Sequence, residues 1–152
     1  MKSTIKVKFL RENAKLPSKY SNDSAGFDLY AAEEVVVPAS LIDTEGLLNI
    51  GKAIVSTGIA VQLPSGTVGK LASRSGLSTQ FNIEVGAGWI DRDYRGEIMV
   101  ELRNFSSHAY QVRLGDRIAQ LIVLNVATAD VALTEKLDDS ERGSRGFGSS
   151  GK

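Results

Sequence analysis

Two aspartates in the sequence, Asp91 and Asp93, lie in a segment with glycines at both ends, which suggests a hairpin. If that segment is extended, alternate residues share one face and the two carboxylates point the same way. Carboxylates beside a phosphate can bind magnesium or take a proton from an attacking water. For an isolated pair of this kind, a solvated acidic turn is the more common explanation.

A second group of candidate residues consists of Arg74, Ser75 and Gly76, between a strand pattern and a short helix pattern. Free backbone N–H groups collect at the start of a helix, where they favour anions. The arginine adds a charge-assisted donor for a phosphate. This tripeptide is common in loops, so alone it is a weak signal.

The last residues, 140–152, are polar and glycine-rich, and their composition favours a disordered tail. The same residues include two arginines, Arg142 and Arg145, and an aromatic ring, Phe147, among glycines that let N–H groups converge on an anion. A mobile tail with these parts could close over a nucleotide as a lid. Residues 146–152 match most of a Walker A pattern, but the chain ends at the lysine, so a P-loop is excluded.

Composition removes several other kinds of site. The chain of 152 residues has no cysteine and one histidine, His108, which excludes thiolate zinc sites, disulfides and multi-histidine metal sites. Eighteen basic residues balance 18 acidic ones, which argues against a broad electrostatic grip on nucleic acid or an anionic membrane. No segment is apolar enough for a signal peptide or a membrane span, so we expect a soluble intracellular protein, cytoplasmic or nuclear.

Short strand patterns dominate the elements that must position these residues. Residues 4–9 alternate polar and apolar, which is the period of a strand with one buried face. Residues 34–37 form an apolar run that stops at Pro38. Further strand patterns occupy residues 59–63, 97–103 and 108–112, and the one helix candidate is short, around residues 77–81.

The segment 117–126 differs because it is apolar on both faces, with Ile118 and Ile122 on one and Ala119 and Leu121 on the other. Such a strand is expected deep in a sandwich or at a subunit interface. Many short strands divided by turn residues predict an all-β protein, a jelly roll or β-sandwich. Residues 41–50 look like an insertion between two strands, which we expect to be an elongated loop.

Five motifs, taken together and in order, resemble those of the trimeric dUTPase family over nearly the whole chain. One such motif is weak, whereas five in register are strong. The motifs are AGFDL at residues 25–29, SRSGL at 73–77, GAGWIDRDYRGE at 86–97, GDRIAQL at 115–121 and RGSRGFGSSG at 142–151.

The resemblance implies a jelly-roll domain over residues 1–139 and a flexible C-terminal lid over residues 140–152. It implies a homotrimer whose three active sites lie between subunits, each closed by a tail from a neighbour. The implied activity is Mg²⁺-dependent hydrolysis of dUTP to dUMP and pyrophosphate, which limits uracil incorporation into DNA and supplies dUMP for thymidylate synthesis.

By the same resemblance, Asp91 is the general base that activates water for attack on the α-phosphorus. Asp28 touches the water shell of a magnesium ion held mainly by the triphosphate. Tyr94 lies under the deoxyribose and leaves no room for a 2′-hydroxyl. The other implied substrate contacts are Arg74, Ser75, Gly76 and Gln120 at the phosphates, Gly88, Trp89, Ile90 and Met99 at uracil, and Arg142, Phe147, Gly148, Ser149 and Ser150 in the lid.

This sequence departs from the family pattern at two positions that bear on the site. Ser73 stands where the family usually has proline, which predicts a looser turn, and Trp89 stands where a small aliphatic residue is usual. Two other functions compete with dUTP hydrolysis. A dCTP deaminase needs a second arginine that the SRSGL motif lacks, and a binding or regulatory module need not keep Asp91, Tyr94 and Arg142 together.

Overall fold

The computed structural model describes residues 3–146, which form strands and one short helix. Short alternating runs form the strands and turn residues separate them, as the sequence predicts. The elements are β1 (Lys6–Phe9), β2 (Gly26–Tyr30), β3 (Val35–Val37), β4 (Leu41–Ile42), β5 (Leu48–Asn49), β6 (Gly51–Gln62), β7 (Thr67–Ala72), α1 (Ser75–Phe81), β8 (Ile83–Val85), β9 (Trp89–Ile90), β10 (Glu97–Asn104), β11 (Tyr110–Val112) and β12 (Arg117–Asn125).

Two four-stranded antiparallel sheets make up most of the fold. One has the strand order β1-β6-β10-β8 and the other β2-β12-β7-β9, and two-stranded sheets pair β11 with β3 and β4 with β5. Apolar side chains from both large sheets meet in one buried cluster, for example Leu71 and Leu121 with Val100 and Leu102. The predicted all-β jelly-roll architecture with one short helix is therefore confirmed.

Several local predictions are borne out by the structure. β3 ends at the residue before Pro38, as expected because proline cannot donate to a strand ladder. The helix begins at Ser75, two residues earlier than its apolar pattern, and Arg74 is its N-cap. β12 lies inside its sheet, between β2 and β7, and its neighbouring residues Ile118 and Ala119 are both buried.

The insertion at residues 41–50 is not an elongated loop, so that expectation was wrong. It is a hairpin in which β4 pairs with β5, and its turn is built around Asp43. The Asp43 carboxylate accepts hydrogen bonds from the N–H groups of Glu45 and Leu47, and Gly46 supplies a positive φ of 81°. Such Asx turns satisfy the backbone locally, which is why the polar run at residues 43–46 folds here as a turn.

No helix within residues 3–146 is long and apolar enough to cross a membrane.

Candidate active site

Asp28 forms the centre of a polar cluster on the sheet that contains β2. Its side chain is buried, and Arg74 Nε lies 3.4 Å from its Oδ1 while Arg117 Nη1 lies 3.3 Å from its Oδ2. Gln120 Nε2 donates to Oδ1 at 3.3 Å, and Arg74 also donates to the backbone oxygen of Arg117 at 3.1 Å. A buried carboxylate needs such partners. The arrangement leaves two arginines together at one end of the sheet, where they can bind an anion.

Ser75 and Gly76 stand in the first turn of α1, beside this cluster in the chain. Arg74 caps the helix through its backbone, and no side-chain cap hydrogen bond is formed, so the first N–H groups of the helix remain open to a ligand. The turn before the helix is tied down by Ser73, whose hydroxyl accepts a hydrogen bond of 2.8 Å from the N–H of Val85. A proline at this position could not make this contact, and the looser turn expected of Ser73 stays a prediction.

The glycine-rich segment 86–97 is not the hairpin that its glycines suggested, because β9 pairs with β7 and β10 belongs to the other large sheet. Ile90 pairs with Gly69 and Trp89 with Lys70, and the oxygen of Gly88 accepts from the N–H of Leu71 at 2.7 Å. A Cβ at Gly88 would lie 2.7 Å from the Cβ of Leu71, so glycine is required for this close approach.

A cavity of about 170 Å³ opens beside this segment. It brings together five residues that the family resemblance assigned to the site, Trp89, Ile90, Asp91, Tyr94 and, from β10, Met99. Trp89 is 62% exposed, and the ammonium of Lys70 lies 5.1 Å from the centre of its ring. A cation over an indole face holds the ring in place.

Tyr94 folds back over the turn that leads into β10. Its hydroxyl donates a 2.9 Å hydrogen bond to the backbone oxygen of Glu97. A Cβ at Gly96 would lie 2.3 Å from that hydroxyl oxygen, so the absent side chain is what lets the ring lie against the chain. The ring is thereby fixed at the wall of the cavity.

Asp91 and Asp93 do not share one extended face, because the residues between Asp91 and Tyr94 form a turn. The N–H of Tyr94 donates to the oxygen of Asp91 at 3.1 Å. Asp91 is exposed at the junction of two cavities, the one described above and a second of about 560 Å³ that Trp89, Arg92 and Asn125 also line. Its carboxylate can therefore reach a ligand from either side.

The cavity and the Asp28 cluster lie at different corners of one sheet. Asp28 is level with Gln120 and Ala72, whereas Ile90 is level with Gly69 and lies three strands away from β2. With ~3.3 Å per residue and ~4.8 Å between strands, Asp28 and Asp91 are on the order of 20 Å apart. The two groups of candidate residues are therefore separate within one chain, and we call each of them a half-site.

Comparison with known proteins gives one consistent result. The dUTPase family model matches residues 12–151. The deoxyuridine 5'-triphosphate nucleotidohydrolase of Solanum lycopersicum is 47% identical and aligns with 97% of this chain and 81% of its own. The enzyme of the same name from Paramecium bursaria Chlorella virus 1 is 45% identical over 98% of this chain and 99% of its own.

Solved structures agree with the sequence relatives. A mutant dUTPase of Staphylococcus bacteriophage 80alpha with dUpNHpp has a TM-score of 0.85 at 30% identity, over 98% of this chain and 99% of that one. A mutant dUTPase from phage phi11 of S. aureus, described as revealing the coordination of a structural Mg(II) ion, has a TM-score of 0.76 at 28% identity over 90% of this chain and 99% of that one.

The chain belongs to the dUTPase family. All five motifs fall within the matched span, and four of them lie wholly in residues 3–146. Three of those four, at 25–29, 73–77 and 115–121, supply the Asp28 cluster, while the motif at 86–97 supplies the cavity.

Only residues 142–146 of the fifth motif lie in the part of the chain that the structure describes. Arg142 is exposed, and its guanidinium donates to the backbone oxygen of Arg145 at 3.3 Å. It therefore takes part in a local turn rather than in either half-site. The expected lid residues Phe147, Gly148, Ser149 and Ser150 lie outside the described residues.

The sequence missed three residues that the dUTPase fold brings to the half-sites. Arg117 pairs with Asp28, Lys70 covers the ring of Trp89, and Glu97 lines the cavity. Arg117 lies in the GDRIAQL motif and Glu97 ends the third motif, so their positions carried a signal. Their roles did not show, because each depends on a partner on another strand.

Residues 3–146 contain no group of three or more His, Asp or Glu side chains that could hold a metal ion by themselves. The one carboxylate in the Asp28 cluster already accepts from two arginines and a glutamine. Magnesium prefers oxygen ligands and keeps several waters when substrate phosphates supply the rest. The donor set therefore suits a Mg²⁺ that arrives with a triphosphate and is held mainly by it.

Proposed function

We propose that this chain hydrolyses dUTP to dUMP and pyrophosphate. The observation that carries the proposal is the cavity in which Trp89 and Ile90 of β9, the carboxylate of Asp91 and the ring of Tyr94 meet. The cavity thus places side by side a pocket for a base, a wall for a sugar and a carboxylate that can bind a water. The family membership, with relatives named deoxyuridine 5'-triphosphate nucleotidohydrolase, supports the same conclusion.

The segment from Gly88 to Asp91 supplies the selectivity for uracil. Uracil presents one N–H between two carbonyls, a pattern that backbone N–H and C=O groups of a strand can complement. A wrong base leaves buried hydrogen-bonding groups unpaired, which a site of this kind rejects strongly. Met99 also lines the cavity, and close packing there disfavours the 5-methyl group of thymine.

The chemical step uses the carboxylate of Asp91 as the general base. It takes a proton from a water whose oxygen attacks the α-phosphorus in line, and the bond to the bridging oxygen breaks as pyrophosphate leaves. Arg74 and Gln120, with the N–H groups of Ser75 and Gly76, hold the phosphates. The positive charge of Arg74, placed by Asp28, stabilises the charge that develops on the phosphate oxygens.

Magnesium supplies further neutralisation of the triphosphate when it is bound. Asp28 would contact its water shell from the protein side. The protein's own part is to keep Arg74 and Arg117 in place through that same carboxylate. In the lid, Arg142 and residues 147–150 would contact the γ-phosphate and cover the base.

A complete active site requires more than one copy of the chain. Asp91 and Arg74 must contact the same triphosphate, yet their half-sites are on the order of 20 Å apart in one chain. Residues 126–139 are exposed and carry fully exposed apolar side chains, Val131 and Leu133. Such side chains favour burial against a partner. Both observations support an oligomer with intersubunit sites, which the family resemblance makes a homotrimer, and a sedimentation mass close to one chain would contradict it.

Pyrophosphate release from dUTP with Mg²⁺ tests the function, with dCTP, dTTP and UTP under matched conditions. Release from dUTP alone is the expected result. Release from UTP as well would reject Tyr94 as the barrier to a 2′-hydroxyl. No release from any of the four would leave the family assignment standing and make the chain a nucleotide-binding module.

A further inference from the structure

Glu97 opens β10 at an irregularity of the strand. Along the β10–β6 pair, Glu97 is level with Ala60 but Met99 is level with Ser56, so the register shifts between them. Such β-bulges occur beside active sites, where they redirect a side chain or a carbonyl. Glu97 therefore sits where small changes in backbone position alter the wall of the cavity.

The carboxylate of Glu97 is held from β6 and from the chain before β2. Its Oε1 accepts a 2.8 Å hydrogen bond from the N–H of Gly58 and another from the hydroxyl of Ser56, which is fully buried. Arg11 Nε lies 3.5 Å from the same oxygen. A carboxylate with three donors on one oxygen has little freedom to move.

A second glutamate completes this network from the other side. Glu33 Oε1 accepts from the N–H of Ser56 at 2.8 Å, and its Oε2 lies 3.7 Å from Arg11 Nη1. Arg11 thus stands between two carboxylates, and Ser56 is bonded to both through its N–H and its hydroxyl. The extra residues of this bulge lie on β6, where residues 57–59 oppose the single residue 98 of β10, and the Glu97 and Arg11 side chains join the bulge to the start of β10.

The backbone of Glu97 faces the site. Its carbonyl oxygen accepts the hydrogen bond of the Tyr94 hydroxyl. Tyr94 reaches that carbonyl only because Gly96 has no side chain. The position of the tyrosine ring is therefore set by where the Glu97 carbonyl lies.

We propose that Glu97 is a positioning residue for sugar selectivity: its carboxylate, bound by Gly58, Ser56 and Arg11, fixes the carbonyl that orients Tyr94. This inference rests on the proposed function, because Tyr94 is the wall against a 2′-hydroxyl. When the carboxylate is removed, the bulge relaxes, the ring moves, and room opens for the extra hydroxyl of a ribonucleotide.

The test compares kcat/KM for dUTP and for UTP, with Mg²⁺, in the wild type and in Glu97→Ala, Glu97→Gln and Ser56→Ala. In Glu97→Ala the ratio of kcat/KM for dUTP to that for UTP falls about tenfold, mostly because UTP turnover rises. A change of this size is typical of a small change in pocket shape. Glu97→Gln keeps an acceptor for Gly58 and Ser56 and retains most of the selectivity. Ser56→Ala gives an intermediate loss.

Glu101→Gln is the matched control because Glu101 also lies on β10. Among the ion pairs of residues 3–146, its carboxylate pairs only with Arg103, at 2.6 Å. Its selectivity ratio remains that of the wild type. A Glu97→Ala ratio equal to wild type, with dUTP turnover intact, overturns the inference and leaves the function standing. If Glu97→Ala does not fold, the Ser56→Ala ratio decides in the same way. A wild type that does not hydrolyse dUTP overturns both.

Discussion

Arg74 Nε lies 3.4 Å from Oδ1 of Asp28, so the arginine that caps the helix is held by a buried carboxylate on β2. Asp28 is 4% exposed, and Arg117 contacts its second oxygen at 3.3 Å. Two guanidinium groups are thereby kept together in spite of their mutual repulsion. The carboxylate contributes to the fold and to the phosphate site through the same contacts.

Replacement of Asp28 by asparagine should lower both the stability of the fold and the activity that depends on the phosphate site. Asp28→Asn leaves Arg74 and Arg117 without their counter-charge, and we expect the free energy of unfolding to fall by about 1–3 kcal/mol, since the arginines are partly hydrated. We also expect kcat/KM for dUTP to fall, because Arg74 is no longer oriented. Chemical denaturation and steady-state kinetics measure the two effects. Asp23→Asn, at an exposed aspartate in the segment before β2, is the control and should change neither.

Loss of the Asp91 carboxylate should remove turnover but not binding. In Asp91→Asn we expect kcat for dUTP to fall about 10²- to 10⁴-fold, which is the usual contribution of a general base. Binding can be followed through Trp89, the single tryptophan of the chain, which lines the same cavity. Unimpaired turnover in this variant would mean that another group activates the water.

Glu84 should make stability depend on pH in the acid range. Hydrogen bonds from Ser73 and then Ser78 hold the pKa of this carboxyl below the ordinary value of 4.5. Because the folded pKa is the lower one, the stabilisation is present above about pH 4.5 and is lost as pH falls through the folded pKa. The gap in unfolding free energy between wild type and Glu84→Gln should therefore shrink in acid.

The measurement is urea denaturation at about pH 7 and at about pH 3.5, on either side of the unfolded pKa of a glutamate. Glu12→Gln is the matched control at an exposed glutamate. A gap that stays constant across this interval would show that Glu84 does not titrate differently in the folded chain.

Gly58 should tolerate no side chain. Its φ is +67°, and a Cβ there would lie 2.9 Å from the Cβ of Ala14 and 3.1 Å from that of Ala32. Gly46 also has a positive φ, +81°, but no atom within 4 Å of the same position. Gly46→Ala should cost ~1–2 kcal/mol for the backbone conformation alone. Gly58→Ala should cost more, because the clash is added, and equal losses in thermal unfolding would argue against the crowding.

The strands and candidate residue groups were predictable because their signals are local. A proline such as Pro38 ends a strand because it cannot donate to the ladder. A segment that is apolar on both faces, such as residues 117–126, is buried on both faces when it lies inside a sheet. The all-β class and the two groups around Arg74 and Asp91 follow from patterns of that kind.

What could not be predicted depends on contacts between distant residues. Arg117 and Asp28 are 89 positions apart, and Gly58 and Glu97 are 39 apart. Neither pair has a spacing that marks it in the sequence. The Asp43 hairpin was missed for another reason, since an Asx turn in a polar run resembles any other loop until its hydrogen bonds are known.

The position of Asp91 and Arg74 at separate corners of one sheet has a consequence for mixtures of variants. If each site takes Asp91 from one subunit and Arg74 from another, then Asp91→Asn and Arg74→Ala chains are each inactive alone. Once the two are unfolded and refolded together, some interfaces join the intact Asp91 of one chain to the intact Arg74 of the other. Those interfaces regain turnover, so two dead preparations complement each other in a single tube.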